Sequence, residues 1–406
     1  MMDTLKPSHD AVATPSRETL IVRAEALVPQ IRARAAGAET ARQVSAETIA
    51  EIRAQDIFKL LQPVRYGGFE YDFTTMVEIT IALAAGCAST AWCAGLGIIH
   101  HWLLAQFPIE AQDEVYADDP GVLICGSYAP AGKCEAVDGG WRVTGSWSFS
   151  SSVDHAGWAL IGVFFPPQDG GDRPVPGFTL VPRNDFRIHD DWYTVGLAAT
   201  GSKDVVCDGV FVPSHRRITF VELGSGNSPG YRFHKTPIYS VPMMAGLPTA
   251  ICTPALGALK GAIDAFIDDV GGRQTRGAVV MGGNKMAEFA HVQSRLGEAQ
   301  AHYNAGRSLV LTDLRETEAM ATTGVPIGID RRIHNRLTQA FIVKLAASGI
   351  DTLYASTGGP GLHLSNQVQR AWRDIHAIGH HISFNWDAVS SMYGQMVFGL
   401  EPRGQY

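Results

Sequence analysis

The feature that most limits this chain's fold is a change of texture along it. Between residues 121 and 212, short β-branched and aromatic runs are separated by Gly, Pro and Asp, whereas apolar residues recur at helical spacing on either side. That order predicts helices, then a β-domain, then a helical bundle: an α+β fold, mainly α. Candidate strands cover 122–127, 133–137, 141–148, 158–165, 178–182 and 203–212.

Ahead of the strands, Leu20, Val22, Ala24, Leu27 and Ile31, then Ile49, Ile52, Ile57 and Leu60, predict two helices broken near Gly37. Asp72 or Thr74 can cap a helix through Ala85, and Ser89 can cap another to about Phe107. After Pro213 an extended connector runs to about Pro242. Helices are then expected over 253–270, 284–317, 329–356 and 366–398, joined by turns such as Gly358-Gly-Pro-Gly361. The expected division is a loose leader (1–16), an N-terminal helical domain (17–118), a middle β-domain (119–225) and a C-terminal helical domain (226–406).

A net charge of −7 with interspersed signs offers no basic stripe for nucleic acid. The six cysteines show no Cys-x-x-Cys pair, so neither a zinc site nor a disulfide scaffold is indicated, and a cytoplasmic location is expected. The N-terminus lacks a basic start and apolar run, and stretches such as 79–85 and 243–250 read as too short or too interrupted to span a bilayer.

Within the β-texture one stretch carries an unusual chemical load. Trp141, Trp147 and Phe149 stand beside Ser148, Ser150, Ser151 and Ser152, and each hydroxyl, if buried, needs a partner. Either this is a polar outer face with rim aromatics, or the strand carries a site.

Three motifs in order point to a family: Gly145-Ser-Trp-Ser-Phe-Ser-Ser-Ser152 with Asp154-His-Ala156; Trp192-Tyr-Thr-Val-Gly-Leu-Ala-Ala-Thr-Gly-Ser-Lys-Asp204 with Val210-Phe-Val-Pro213; and Arg373-Asp-Ile-His-Ala377 with His381. With them the chain resembles the acyl-CoA dehydrogenase superfamily, and within it the oxygenase components of two-component flavin-dependent aromatic monooxygenases. The resemblance implies an acyl-CoA dehydrogenase-like fold with a middle β-barrel and a C-terminal four-helix bundle. It implies a homotetramer, with flavin lying between the β-domain and the bundle. Phe149, Ser150 and Ser151 would then lie along the isoalloxazine, Ser151 approaching N5. Arg273, in Arg273-x-x-Arg276-Gly277, matches an arginine that reaches a cofactor across a dimer interface, and Gly358-Gly359 matches a glycine turn contributed by the partner subunit.

A dehydrogenase of this superfamily needs a carboxylate base, usually nine residues after the arginine of the Arg-Asp motif. Counting from Arg373 that place is Ile382, which cannot accept a proton, and no Asp or Glu occurs between Glu222 and Asp264, where some relatives move the base. The chain offers histidine instead. His381 matches the family's active-site histidine, and His100 matches one that reaches the substrate beside Ser127; His101 is adjacent, and a one-residue slip would exchange the two.

What the resemblance implies chemically is a C4a-hydroperoxide formed from O2 and diffusible reduced FMN or FAD supplied by a separate flavin reductase. That species hydroxylates an aromatic, phenolic substrate. No Gly-x-Gly-x-x-Gly follows a strand, in keeping with reduction elsewhere. His376 and His380 lack the intervening Glu of a His-Glu-x-x-His site, so no metal is expected, and Asp154-His155 lack a nucleophile elbow. The rival readings are an acyl-CoA dehydrogenase or flavin oxidase with a displaced base, and a binding protein that kept the fold.

Overall fold

A computed structural model describes residues 14–167, 172–275 and 284–406. Five helices come first: α1 (Arg17–Ala41), α2 (Ala46–Ala54), α3 (Phe73–Ala84), α4 (Ala88–Leu104) and α5 (Ile109–Tyr116). Gly37 does not break α1. The chain turns at Arg42, whose left-handed φ of 55 ends the helix. Asp72 caps α3 as expected, accepting from the Thr75 amide, but α4 begins one residue before Ser89 and has no side-chain cap. Every residue of α4 is buried, so it can bring polar groups to an interior site from any side.

Eight strands follow: β1 (Ile124–Ser127), β2 (Lys133–Val137), β3 (Gly140–Ser150), β4 (Trp158–Phe165), β5 (Val175–Pro182), β6 (Arg187–His189), β7 (Lys203–Pro213) and β8 (Arg217–Thr219). They form two four-stranded sheets, β1-β4-β5-β8 and β2-β3-β7-β6, where a barrel was expected. Strand alternation explains the layering. On β4, Ala159, Ile161 and Val163 face a core shared with Trp141, Trp147 and Val205 of the second sheet, while Leu160 joins the helical core with Phe178 and Leu180 of β5. The first sheet is thus buried on both faces, and β1 meets α4.

The expected connector after Pro213 is not extended. Besides β8 it holds α6 (Phe220–Ser225), started by a Thr219–Glu222 capping box, and α7 (Pro229–His234), capped by Ser228. Then come α8 (Met243–Gly246), α9 (Thr249–Gly271), α10 (Ala290–Ala321), α11 (Ile329–Tyr354), α12 (Gln367–Gly379) and α13 (Trp386–Val397). Helices α9 to α12 pack as the bundle, and α9 also packs on α3 and α4. The run Met243–Gly271 is longer than the sequence reading allowed and apolar enough to cross a membrane, but 78% of its most apolar 18-residue window is buried within the protein, as a core helix must be. The expected last helix is two, separated by a short turn that His381 caps by accepting from the Ser383 amide.

Candidate active site

Strand β3 ends in a sharp turn. Phe149 (φ 67) and Ser152 (φ 61) both adopt the left-handed region, which is costly for side chains with a Cβ and is tolerated only where the surroundings enforce it. The turn presents the Phe149 ring outward, 70% exposed, with the edge of Trp192 against it at 6.0 Å. It also turns Ser151 inward. Ser150 does not share the open face: it is fully buried, its hydroxyl beside the Cys125 thiol in the core between the sheets.

Ser151 Oγ accepts from the indole Nε1–H of Trp92 at 3.0 Å and lies 2.6 Å from Ser202 Oγ. The Trp92 ring meets His381 edge-on at 5.7 Å, so one indole joins the β3 turn to the turn after α12. The His381 Nδ1 accepts from the Ser383 amide at 3.2 Å, which leaves the proton on Nε2. Burial pushes its pKa down to about 4, helped by the Arg336 guanidinium, so the ring is neutral near pH 7. Arg336 itself is buried, and among the described residues it bonds neutral oxygens, the Ser383 carbonyl at 2.7 Å and Gln339 at 2.6 Å.

The second and third sequence motifs meet behind this turn. Arg373 donates to the Val195 carbonyl at 2.7 Å and pairs with Glu39, while Asp374 accepts from the Leu197 amide at 2.7 Å. Burial lifts the Asp374 pKa to about 6. Gly196 is required here, since a Cβ would lie 2.3 Å from the Arg373 carbonyl oxygen. Asp154 pairs with Lys203 at 2.9 Å and His155 bonds the Val44 carbonyl at 2.8 Å, so both tie the turn to its neighbours.

His100 is fully buried on α4. Its Nδ1 faces the Ile124 carbonyl and therefore carries hydrogen, and its Nε2 receives the Tyr128 hydroxyl. Burial lowers its pKa to about 4. Gly126 lets this pair close, since a Cβ would stand 3.0 Å from Nε2 and 2.9 Å from the Tyr128 ring. Ser127 lies on the same strand, but its hydroxyl donates to the Ser148 carbonyl at 2.7 Å. His101 points elsewhere, bonded to Tyr116 of α5 at 2.8 Å and stacked on it. Trp92 and Tyr128 were missed by sequence reasoning.

Arg273 donates to the Thr357 carbonyl, just before Gly358, and pairs with Asp269. The structure thus brings Arg273, Gly358 and Gly359 together at one end of the bundle, whereas Arg276 and Gly277 lie outside the described residues. Added to Gly359, a Cβ would meet nothing within 4 Å. No hydrogen bond among the described residues joins this cluster directly to Ser151 or His381. His376 bonds Asp351 at 2.9 Å and His380 bonds the His376 carbonyl at 2.8 Å.

These features suit a flavin: an open aromatic face, a buried hydroxyl with a lone pair to spare, two neutral histidines, and a guanidinium beside an open glycine turn. Comparison with known proteins agrees. The models for the acyl-CoA dehydrogenase N-terminal and C-terminal domains match residues 21–119 and 249–386. Over all of both chains the protein is 44% identical to the oxygenase component of an FADH2-dependent resorcinol hydroxylase from Rhizobium sp. (strain MTP-10005). It is 35% identical to the oxygenase subunit HsaA of a flavin-dependent monooxygenase from Rhodococcus jostii (strain RHA1), covering 93% of this chain and 98% of that one. Among solved structures, the HsaA monooxygenase from M. tuberculosis superposes with a TM-score of 0.88 at 32% identity, over 96% of this chain and 99% of that one. The chain therefore belongs to the acyl-CoA dehydrogenase superfamily, in its branch of flavin-dependent aromatic hydroxylases that act as the oxygenase component beside a separate reductase.

Proposed function

We propose that this protein hydroxylates a small phenol of the resorcinol type, with reduced FAD preferred and reduced FMN accepted, inside a cytoplasmic homotetramer. The observation that carries the reading is the linkage of Ser151 and His381 through Trp92 in a site whose dehydrogenase-base position holds an apolar residue, Ile382. The full-length likeness to a resorcinol hydroxylase component supports the substrate class.

Reduced flavin, when bound, supplies the electrons that let O2 place one atom on the ring and release the other as water. The chain's own residues have separable tasks. Phe149 gives the isoalloxazine a surface, and Ser151 holds the proton at N5. His381, neutral with hydrogen on Nε2, donates near the reacting oxygen without bringing a charge that would draw in water. On the substrate side His100 is a base at Nε2, because its Nδ1–H is committed to the Ile124 carbonyl. A phenol is a good nucleophile only as its anion, and its pKa lies near ~10, so a neutral acceptor that takes the proton as the ring is attacked, when the hydroxyl becomes strongly acidic, spares the cost of forming the full anion first. The Tyr128 hydroxyl that occupies Nε2 relays the proton of one substrate hydroxyl, and Ser127, whose own proton is spent on Ser148, accepts from the other hydroxyl of a resorcinol-type substrate.

Arg273 and the Gly358-Gly359 turn would hold the remainder of the flavin with help from a second copy. Support comes from the space over Gly359 and from exposed Leu362 and Leu364 beside it. Six free thiols, five of them buried, support a reducing compartment.

Purified protein should be mixed anaerobically with chemically reduced FAD or FMN, then with oxygen and either resorcinol or 1,3-dimethoxybenzene. Hydroxylated product from resorcinol alone, without any reductase present, is the expected result. Failure with every phenol tried, together with oxidation of an acyl thioester by an artificial acceptor, would favour a dehydrogenase with a displaced base.

A further inference from the structure

Ser151, Ser202 and Thr200 form a row of hydroxyls whose direction is set at both ends. At one end the Trp92 indole N–H can only donate, so Ser151 Oγ accepts there. At the other, Thr200 Oγ1 donates at 2.8 Å to the Leu197 carbonyl, which can only accept. Thr200 has then spent its one proton, and its 2.6 Å contact with Ser202 must use the proton of Ser202. By the same count the 2.6 Å contact between Ser202 and Ser151 uses the proton of Ser151. Ser151 is left with no proton to give and one free lone pair. All three hydroxyls are buried, so water does not readily scramble the order. The far end is anchored by α12, whose Asp374 holds the Leu197 amide.

We infer that Ser202 and Thr200 make Ser151 an obligate acceptor, and that this polarity makes the site prefer reduced over oxidised flavin. The inference rests on the placement of Ser151 at the flavin N5. Reduced flavin carries hydrogen on N5 and donates it. Oxidised flavin has only a lone pair there and needs a donor. An acceptor-only Ser151 pairs with the first and sets lone pair against lone pair with the second. An oxygenase that receives reduced flavin by diffusion, and must release it oxidised, needs that discrimination. The row supplies it without a charged group in a dry site, where a charge would be costly. Ser202 and Thr200 are positioning residues: they touch no flavin and act through Ser151.

The test is equilibrium binding of oxidised FAD in air and of reduced FAD under nitrogen, for the native protein and three variants. Ser202→Ala frees the Ser151 proton. Thr200→Val removes the acceptor of Ser202, which then turns to donate to Ser151 and frees the same proton. Both variants should bind oxidised FAD more tightly and narrow the preference for reduced FAD by roughly three- to tenfold, the worth of one buried hydrogen bond. Ser151→Ala should weaken reduced FAD by about threefold and, by removing the opposed lone pair, bind oxidised FAD at least as tightly as the native protein does. Melting curves report folding, and Thr200→Val, which keeps the side-chain volume, carries the test if Ser202→Ala is unstable. An unchanged preference in Ser202→Ala and Thr200→Val, with a changed one in Ser151→Ala, would overturn the polarity but keep Ser151 at N5. An unchanged preference in all three would overturn both.

Discussion

Around Ser151, three segments of one chain supply the turn's support: Trp92 from α4, Ser202, Thr200 and Leu197 from the loop before β7, and Asp374 of α12, which holds Leu197. Around Gly358, Arg273 donates to the Thr357 carbonyl at a glycine turn flanked by exposed leucines, with open space where a Cβ on Gly359 would go. Among the described residues, the first region is finished within the chain, and the second is not. The difference teaches where each kind of glycine matters. Gly196 is demanded by the chain's own backbone, whereas among the described residues nothing comes within 4 Å of where a Gly359 Cβ would lie.

The largest effects should come from the two histidines in the finished region, and they should differ in kind. Help from a general acid or base is typically worth about 10² to 10⁴ in rate. In His381→Ala, oxygen use by bound reduced flavin should be slow or yield hydrogen peroxide even without substrate. In His100→Ala, flavin should react with oxygen normally but release peroxide in place of product, with partial recovery at high pH, where the phenolate forms unaided. Stopped-flow traces with product and peroxide yields separate these outcomes. Equal coupling in both variants and the native protein would remove both residues from the chemistry, and a defect in His101→Ala alone would exchange the assignments on α4.

How much of this was legible in the sequence depends on what each residue answers to. The strands from 133 to 137 and 158 to 165 could be read directly because alternation and turn residues both mark them. The break at Arg42 could not, because it is set by a left-handed residue held by packing and not by a glycine. Trp92 escaped notice because α4 is buried all round and shows no apolar stripe to indicate which residue faces a site. Tyr128 lies just beyond the end of β1, where alternation stops being a guide. The partner of His101 was invisible for another reason: Tyr116 sits on α5, a helix the pattern did not announce. The row behind Ser151 joins residues 51 apart in sequence, and only folding brings them together.

Two glycine variants sharpen the comparison next. Gly196→Ala forces a Cβ into the Arg373 carbonyl and should destabilise the protein by about 1 to 3 kcal/mol, seen as a lower melting temperature. Gly359→Ala should stay within ~0.5 kcal/mol of the native stability while weakening flavin binding or tetramer assembly. A Gly359→Ala protein with native flavin affinity and native mass would show that nothing approaches that turn.

Arg273→Ala comes next, with reduced FAD bound roughly tenfold more weakly, as expected for loss of one charge-assisted contact, and reduced FMN less affected. Equal losses for both flavins would move Arg273 to the ring they share.

The smallest effect concerns pH. Burial holds His101 near 3 against an ordinary value of 6.5, so between those limits the unfolded chain takes up a proton that the folded chain refuses. Stability from this group is present above pH 6.5 and lost as pH falls toward 3. His101→Phe should therefore melt on the order of a few degrees higher, relative to the native protein, at pH 5 than at pH 7. A constant offset between the two would contradict a buried, neutral His101.

One measurement tests the central claim most directly: a single turnover of protein, chemically reduced FAD and resorcinol under ¹⁸O2, with the product examined by mass spectrometry. The account predicts a hydroxylated product carrying one ¹⁸O atom, with flavin oxidised and no reductase present. Unlabelled product, or oxidised flavin and hydrogen peroxide with no product from resorcinol or any other phenol, would contradict it.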